Sequence, residues 1–140
     1  LKMIRIVYGA KGSGKTGKLI NEANEMVEKS AGSIVFLTYT DRYKFDLSYK
    51  IRLINVENFG VGTEEELAGF IKGILASNAD IDMLYVDGAH RVTGKKVEDM
   101  QFFYDDIAKA GKNSAVEIVL SASTDVLPAF LADAESEKVI

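Results

Sequence analysis

Cysteine is absent, and proline and histidine occur once each in 140 residues. The lack of cysteine excludes disulfides, zinc–thiolate sites and thiol nucleophiles, and it suits a reducing cytoplasm. With 27% charged and 47% hydrophobic residues the composition is that of a globular chain without a low-complexity tract. No internal repeat stands out. Positive charge is not in excess: the formal net charge of −4 gives no general attraction to phosphate backbones, so nucleic acid is not an expected partner. Apolar runs never approach membrane-spanning length, and no charged leader precedes an apolar stretch at the N-terminus. The expectation is a cytoplasmic protein without membrane insertion, folded as one domain over residues 1–140.

What is present begins with glycine. Residues 9–16 read Gly-Ala-Lys-Gly-Ser-Gly-Lys-Thr, a complete phosphate-binding (Walker A) pattern. Ahead of it, residues 2–8 (Lys-Met-Ile-Arg-Ile-Val-Tyr) predict a buried strand. Behind it, Leu19, Ile20, Ala23, Met26 and Val27 recur at helical spacing, which predicts a helix over 14–30 with Gly32 as a left-handed stop. Gly9, Gly12 and Gly14 let backbone N–H groups turn inward without Cβ clashes, so that those donors and the positive helix end surround phosphate oxygens. Lys15 adds a mobile positive charge, and Lys11, Ser13 and Gly17 complete the candidate cofactor-binding set. Thr16 offers its hydroxyl to Mg²⁺, which in turn bridges phosphate oxygens.

The remaining periodicity alternates strand and helix, which argues a parallel sheet. Strands are expected at 33–38 and 51–56, then a helix opened by Thr63-Glu64-Glu65-Glu66 as a capping box. Gly69 and Gly73 lie one turn apart in that helix and are expected to permit close helix-to-sheet approach. A strand over 82–87 ends in the carboxylate of Asp87, which resembles the second metal-side motif of P-loop proteins; that resemblance makes Asp87 the candidate for the Mg²⁺ shell across from Thr16. A helix over 95–110 stopped by Gly111, a strand over 116–120 ending in Ser121-Ala122-Ser123, and a helix from Pro128 complete the expectation. The sum is an α/β, three-layer αβα sandwich with a mainly parallel five-stranded sheet.

The glycine loop and the Asp87 strand together resemble a P-loop NTPase, as a minimal RecA-like core of the ASCE branch. The run from Leu120 to Leu131 is similar to small bacterial ATP-binding proteins sometimes labelled twitching-motility ATPases, although the motors of that name are far longer. Thymidine kinase is similar in general layout, but its zinc-binding lasso has no cysteines here. The resemblance implies the P-loop NTPase fold, ATP and Mg²⁺ as cofactors, and a sensor-like place for Ser121 to Ser123 near the terminal phosphate. It also sets out a departure. ATPases of this branch usually place a glutamate directly after the strand-end aspartate, and here the residue is Gly88.

His90, three residues beyond Asp87, has two readings: a surface or helix-entry residue, the commoner case, or a substitute base that accepts a proton near neutral pH, in which role it joins Lys15 and Asp87 in the candidate catalytic set. Asp41 is a weaker substitute base. Tyr39, Arg42, Tyr43, Lys44, Phe45, Tyr49 and Lys50 interleave aromatics with cations beyond the second strand and offer a surface for a base or substrate. His90, Arg91, Lys95 and Lys96 make a second basic cluster. Three functions stay open: an ATPase with slow or partner-stimulated hydrolysis, a small-molecule kinase with a nucleoside-like acceptor over 39–50, and a non-hydrolysing nucleotide-dependent interaction module. In the last, Lys138-Val139-Ile140 adds an edge strand or pairs between subunits in a homo-oligomer. No Asn-Lys-x-Asp guanine-reading motif occurs, which favours ATP over GTP.

Overall fold

The computed structural model describes residues 4–140. The chain runs β1 (Ile4–Gly9), α1 (Lys15–Lys29), β2 (Ser33–Thr38), β3 (Arg52–Asn55), α2 (Glu64–Ser77), β4 (Ile81–Val86), α3 (Ala89–Thr93), α4 (Gln101–Gly111), β5 (Glu117–Ser123) and β6 (Glu135–Lys138), with short 3₁₀ turns between. All strands lie in one sheet of order β3-β2-β4-β5-β1-β6, and every neighbouring pair is parallel. The expected beginning of β1 at Lys2 and Met3 lies outside the described residues.

Burial explains why the central strands were readable. Both faces are covered, so β2 and β4 are buried at almost every position and read as continuous apolar runs. On one face Leu19, Ile20 and Ala23 of α1, with Leu47 and Ile51 from the β2–β3 connection, pack on Val7, Phe36 and Tyr85. On the other, α2, α3 and α4 pack on Ile6, Leu37, Leu84 and Leu120 through residues such as Leu67, Ile71, Phe103 and Ile107. Each such side chain taken fully out of water contributes about 1.5–3 kcal/mol.

Six strands, not five, make the sheet among the described residues. The sixth is Glu-Ser-Glu-Lys, exposed at every position, so it carries no apolar signal. Its strand character comes from the ladder to β1, in register from Arg5↔Glu135 to Tyr8↔Lys138. An ion pair from Lys18 to Glu137 at 2.8 Å supports it. The edge strand expected at the C-terminus is therefore here, a few residues earlier, against the chain's own β1. The helix expected from Pro128 is only a 3₁₀ turn, Ala129–Leu131. Residues 124–134 return from the carboxyl edge to the amino edge of the sheet as loop and turn around that short element.

Other boundaries moved for local reasons. The helix expected over 95–110 begins only at Gln101, after a 3₁₀ turn Val97–Asp99. Val97 and Met100 are both buried, and their i, i+3 spacing suits either helix type. Neither predicted glycine stop is left-handed: α1 ends at an extended Ser30, whose N–H donates to the Met26 carbonyl at 2.8 Å, and Gly111 is the last residue of α4. Gly32 is instead required by crowding, since a Cβ there would run into the backbone carbonyl of Asp80. Gly69 and Gly73 do not permit a close approach. Both are exposed on α2, and a Cβ at either would meet nothing within 4 Å, so the sheet lies against the opposite side of the helix. The capping box does form, with the Thr63 hydroxyl accepting from Glu66 N–H at 3.1 Å, but the Glu66 carboxylate returns to the N–H of Gly62 at 3.0 Å. No helix among the described residues is long and apolar enough to cross a membrane.

Candidate functional site

In a parallel sheet every strand delivers its carboxyl end to the same edge, and ligands of open α/β sheets bind there. At that edge β1 stops at Gly9, where a Cβ would lie 2.7 Å from Ser13 Oγ. The chain then turns through Gly12 and Gly14 at φ 82° and 98°, a left-handed region that residues with side chains rarely enter. The N–H of Ser13 donates to the Ala10 carbonyl at 3.0 Å and closes the turn. α1 starts immediately after, with no side-chain cap and no acid in its first turn. Its first-turn N–H groups and the positive end of its dipole therefore face the pocket uncompensated by protein. The Lys15 ammonium folds back to donate to the Ala10 carbonyl at 2.9 Å, and Ser13 Oγ is buried without a partner.

Asp87, at the end of β4, is 2% exposed and sits at the junction of three strand ends. Its Oδ1 accepts from the Ser121 hydroxyl of β5 at 2.8 Å, and the Thr16 hydroxyl lies 3.1 Å from each carboxylate oxygen. Ser121 Oγ in turn accepts from the Gly88 N–H at 2.9 Å. Burial pushes the Asp87 carboxyl up from its ordinary range, against the opposing pull of Ser121, Thr16, Lys15 and Arg91. Burial likewise pulls the Lys15 ammonium down, against the attraction of Asp87. Two groups thus face one another with their charged forms incompletely solvated by protein.

Gly88 adopts φ +77°, and a Cβ there would lie 2.6 Å from Cδ1 and 2.7 Å from Cε1 of Tyr39. The Tyr39 ring comes from the end of the neighbouring β2. It is held by Arg91, whose guanidinium sits 4.9 Å from the ring centroid and donates to the phenol oxygen at 3.2 Å. The departure at position 88 is thereby built into the packing: a side chain there is opposed by backbone and by ring.

A pocket of about 450 Å³ gathers Lys11, Gly12, Gly14, Lys15, Thr16, Asp87 and His90 from the sequence-derived set. Gly9 and Ser13 support the loop from behind, and Gly17 lies on the exposed outer side of α1, beyond the pocket. Tyr39, Arg42 and Tyr43 also line the pocket, but Phe45 and Tyr49 are each 92% exposed and point elsewhere. Only the first part of the aromatic–cation segment belongs to this site. Burial raises the Tyr43 phenol, with Tyr39 and Asp87 adding to the effect. Asp41 does not reach the pocket: it is exposed and accepts from the Asn55 side chain at 3.2 Å.

His90 reaches the pocket from the first turn of α3, but not as a base near neutral pH. Burial, then the positive charges of Lys15 and Arg91, lower its pKa to about 4, and its Nδ1 is buried without a partner. Arg91 and Gly88 are the members that motif reading did not rank as site residues. Gly88 was visible only as a missing glutamate, and Arg91 only as one cation in a basic run.

No group of three or more His, Asp or Glu side chains among the described residues is arranged to hold a metal by itself. Thr16 and Asp87 supply a hydroxyl and a carboxylate that converge, the donor types Mg²⁺ takes when phosphate and water complete its shell. No protein-family model matches the chain, and no curated protein matches its sequence.

Proposed function

We propose that this chain is a P-loop NTPase of the RecA-like type that binds Mg-ATP and hydrolyses it slowly or only when a partner stimulates it. The observation that carries the reading is the convergence of Thr16, Asp87 and Ser121, within hydrogen-bond distance, opposite a left-handed glycine loop that leads into an uncapped helix. Such a loop suits phosphate oxygens through its N–H groups. Lys15 would leave the Ala10 carbonyl for the phosphates. Thr16 and Asp87 would hold Mg²⁺, whose contribution is to neutralise charge on the phosphate oxygens. The absence of a guanine-reading motif favours ATP, and the absence of cysteine suits a cytoplasmic setting.

Slow turnover is inferred from position 88. The glutamate that the resemblance places there is missing, Tyr39 fills its space, and His90 is a weak base, while a positioned general base typically contributes about 10²- to 10⁴-fold. The test is thermal unfolding with millimolar Mg-ATP, followed over hours by phosphate release. Wild type should be stabilised and Lys15→Ala should not; no stabilisation of wild type by any Mg-nucleoside triphosphate would sink the proposal.

A further inference from the structure

Beside the pocket lies a second cleft of about 550 Å³, at the exits of β4 and β5. His90, Arg91 and Ser123 line both hollows, so the two are continuous. We propose that this second cleft is a binding subsite for a small phosphate-bearing molecule, held by Arg91, Lys96 and Ser123 next to the nucleotide. The proposal rests on the nucleotide reading only for what occupies the first pocket.

Charge sets the class of ligand. The cleft carries Arg91, Lys95 and Lys96 against Glu98. Lys95 is occupied, since its ammonium donates at 2.7 Å to Glu64, a carboxylate only 5% exposed. Lys96 makes no ion pair among the described residues. Arg91 uses one N–H on the Tyr39 oxygen and, with five donors on a guanidinium, keeps others to give. The local balance is thus a small positive excess, matched to one small anion and too weak for a polyanion such as nucleic acid.

Donor count favours phosphate over carboxylate. Arg91, Lys96 and Ser123 line the cleft from α3, from the turn after it and from the end of β5, so a ligand with several acceptor oxygens can use a guanidinium, an ammonium and a hydroxyl at once. The walls are anchored. Thr124 N–H donates to the Gly9 carbonyl at 3.0 Å and ties the β5 exit to the glycine loop, and the Lys95–Glu64 pair ties the α3 exit to α2. His90 Nδ1, buried and unpartnered, sits on a residue shared by the two hollows, where a ligand oxygen or its water can reach that residue.

The probe is inorganic phosphate, titrated at constant ionic strength and followed by calorimetry. In wild type saturated with Mg²⁺ and a non-hydrolysable ATP analogue, saturable binding at one equivalent is expected. Lys96→Glu should weaken it at least tenfold, whereas Lys109→Glu, the same charge change on the exposed side of α4, should not. Lys15→Ala, without nucleotide, should still bind phosphate. Unsaturable binding, equal binding in Lys96→Glu, or loss of phosphate binding in Lys15→Ala would each overturn the subsite. Failure of the nucleotide arm with Lys96-dependent phosphate binding intact would instead refute the ATP reading and leave the subsite standing. Unchanged unfolding profiles of the two surface variants separate these outcomes from misfolding.

Discussion

Substituting alanine for Gly88 tests the geometry that distinguishes this site. Two separate effects oppose a Cβ. The left-handed φ of +77° costs an ordinary residue about 1–2 kcal/mol, whatever the space around it. The methyl must also displace the Tyr39 ring from 2.6 Å, which disturbs the Arg91–Tyr39 stacking, worth about 0.5–1 kcal/mol, and their hydrogen bond, worth about 0.5–1.5 kcal/mol. Arg91 is exposed, so the lower ends apply and the sum is about 2–3 kcal/mol. In a domain of this size each kcal/mol moves the midpoint by about 3 °C, which gives a fall of about 6–9 °C. The decisive comparison is a double-mutant cycle with Tyr39→Ala, read by urea unfolding. Once the ring is gone, Gly88→Ala should retain only its backbone part, about 1–2 kcal/mol. An equal loss in both backgrounds would show that the ring is not where the packing puts it, and no loss in either would show that the backbone is not left-handed.

Gly69→Ala and Gly73→Ala, at exposed positions of α2 with open space around them, should each raise stability by about 0.5–1 kcal/mol, measured as a higher urea midpoint at unchanged slope; a loss would mean that the bare helix face is covered by something. For His90 the fold favours the neutral ring, so between its unfolded pKa of 6.5 and its folded value of about 4 the unfolded chain binds more protons and stability is lost as pH falls. Its contribution, screened by partial exposure, should shrink by about 1 kcal/mol from pH 7 to pH 5, seen as a narrowing gap between wild type and His90→Asn; a gap independent of pH would refute the burial of that ring. Asp87→Asn should raise the midpoint of the empty protein at pH 7, because an amide removes a charge that burial disfavours, while abolishing stabilisation by Mg-ATP. A destabilised Asp87→Asn that still gains stability from Mg-ATP would contradict both halves.

How much of this was legible depended on whether a feature is local. The glycine loop is a local pattern, and β1, β2, β4 and β5 announce themselves because parallel strands covered on both faces must be apolar at nearly every position. β6 could not be read that way: Glu135 and Glu137 make a strand only because β1 has a free edge beside them. Asp87 was readable as a carboxylate at a strand end, and Ser121 as a polar strand end, since both rest on where an apolar run stops. The Tyr39–Gly88 contact was not. It exists because β2 and β4, which are not consecutive in the chain, are neighbours in the sheet. The weak basicity of His90 has the same origin, because its burial, and after it the charges of Lys15 and Arg91, come only with the assembled edge.

The energetics of that edge explain why binding and stability are set against each other here. An empty pocket holds a carboxylate pushed toward protonation and an ammonium pushed toward neutrality, both by burial. Their mutual attraction offsets part of the desolvation, and the hydroxyls of Thr16 and Ser121 offset more, yet both shifts remain in the direction that burial dictates. A ligand that brings its own cation to Asp87 and its own anion to Lys15 relieves the two together. Under the proposed reading Mg-ATP is such a ligand, and the loop lysine and the strand-end aspartate form a coupled pair. Removal of either charge then weakens nucleotide binding by less than the contacts of that one residue, because the surviving partner loses part of its counter-charge only in the empty pocket and regains it from the ligand.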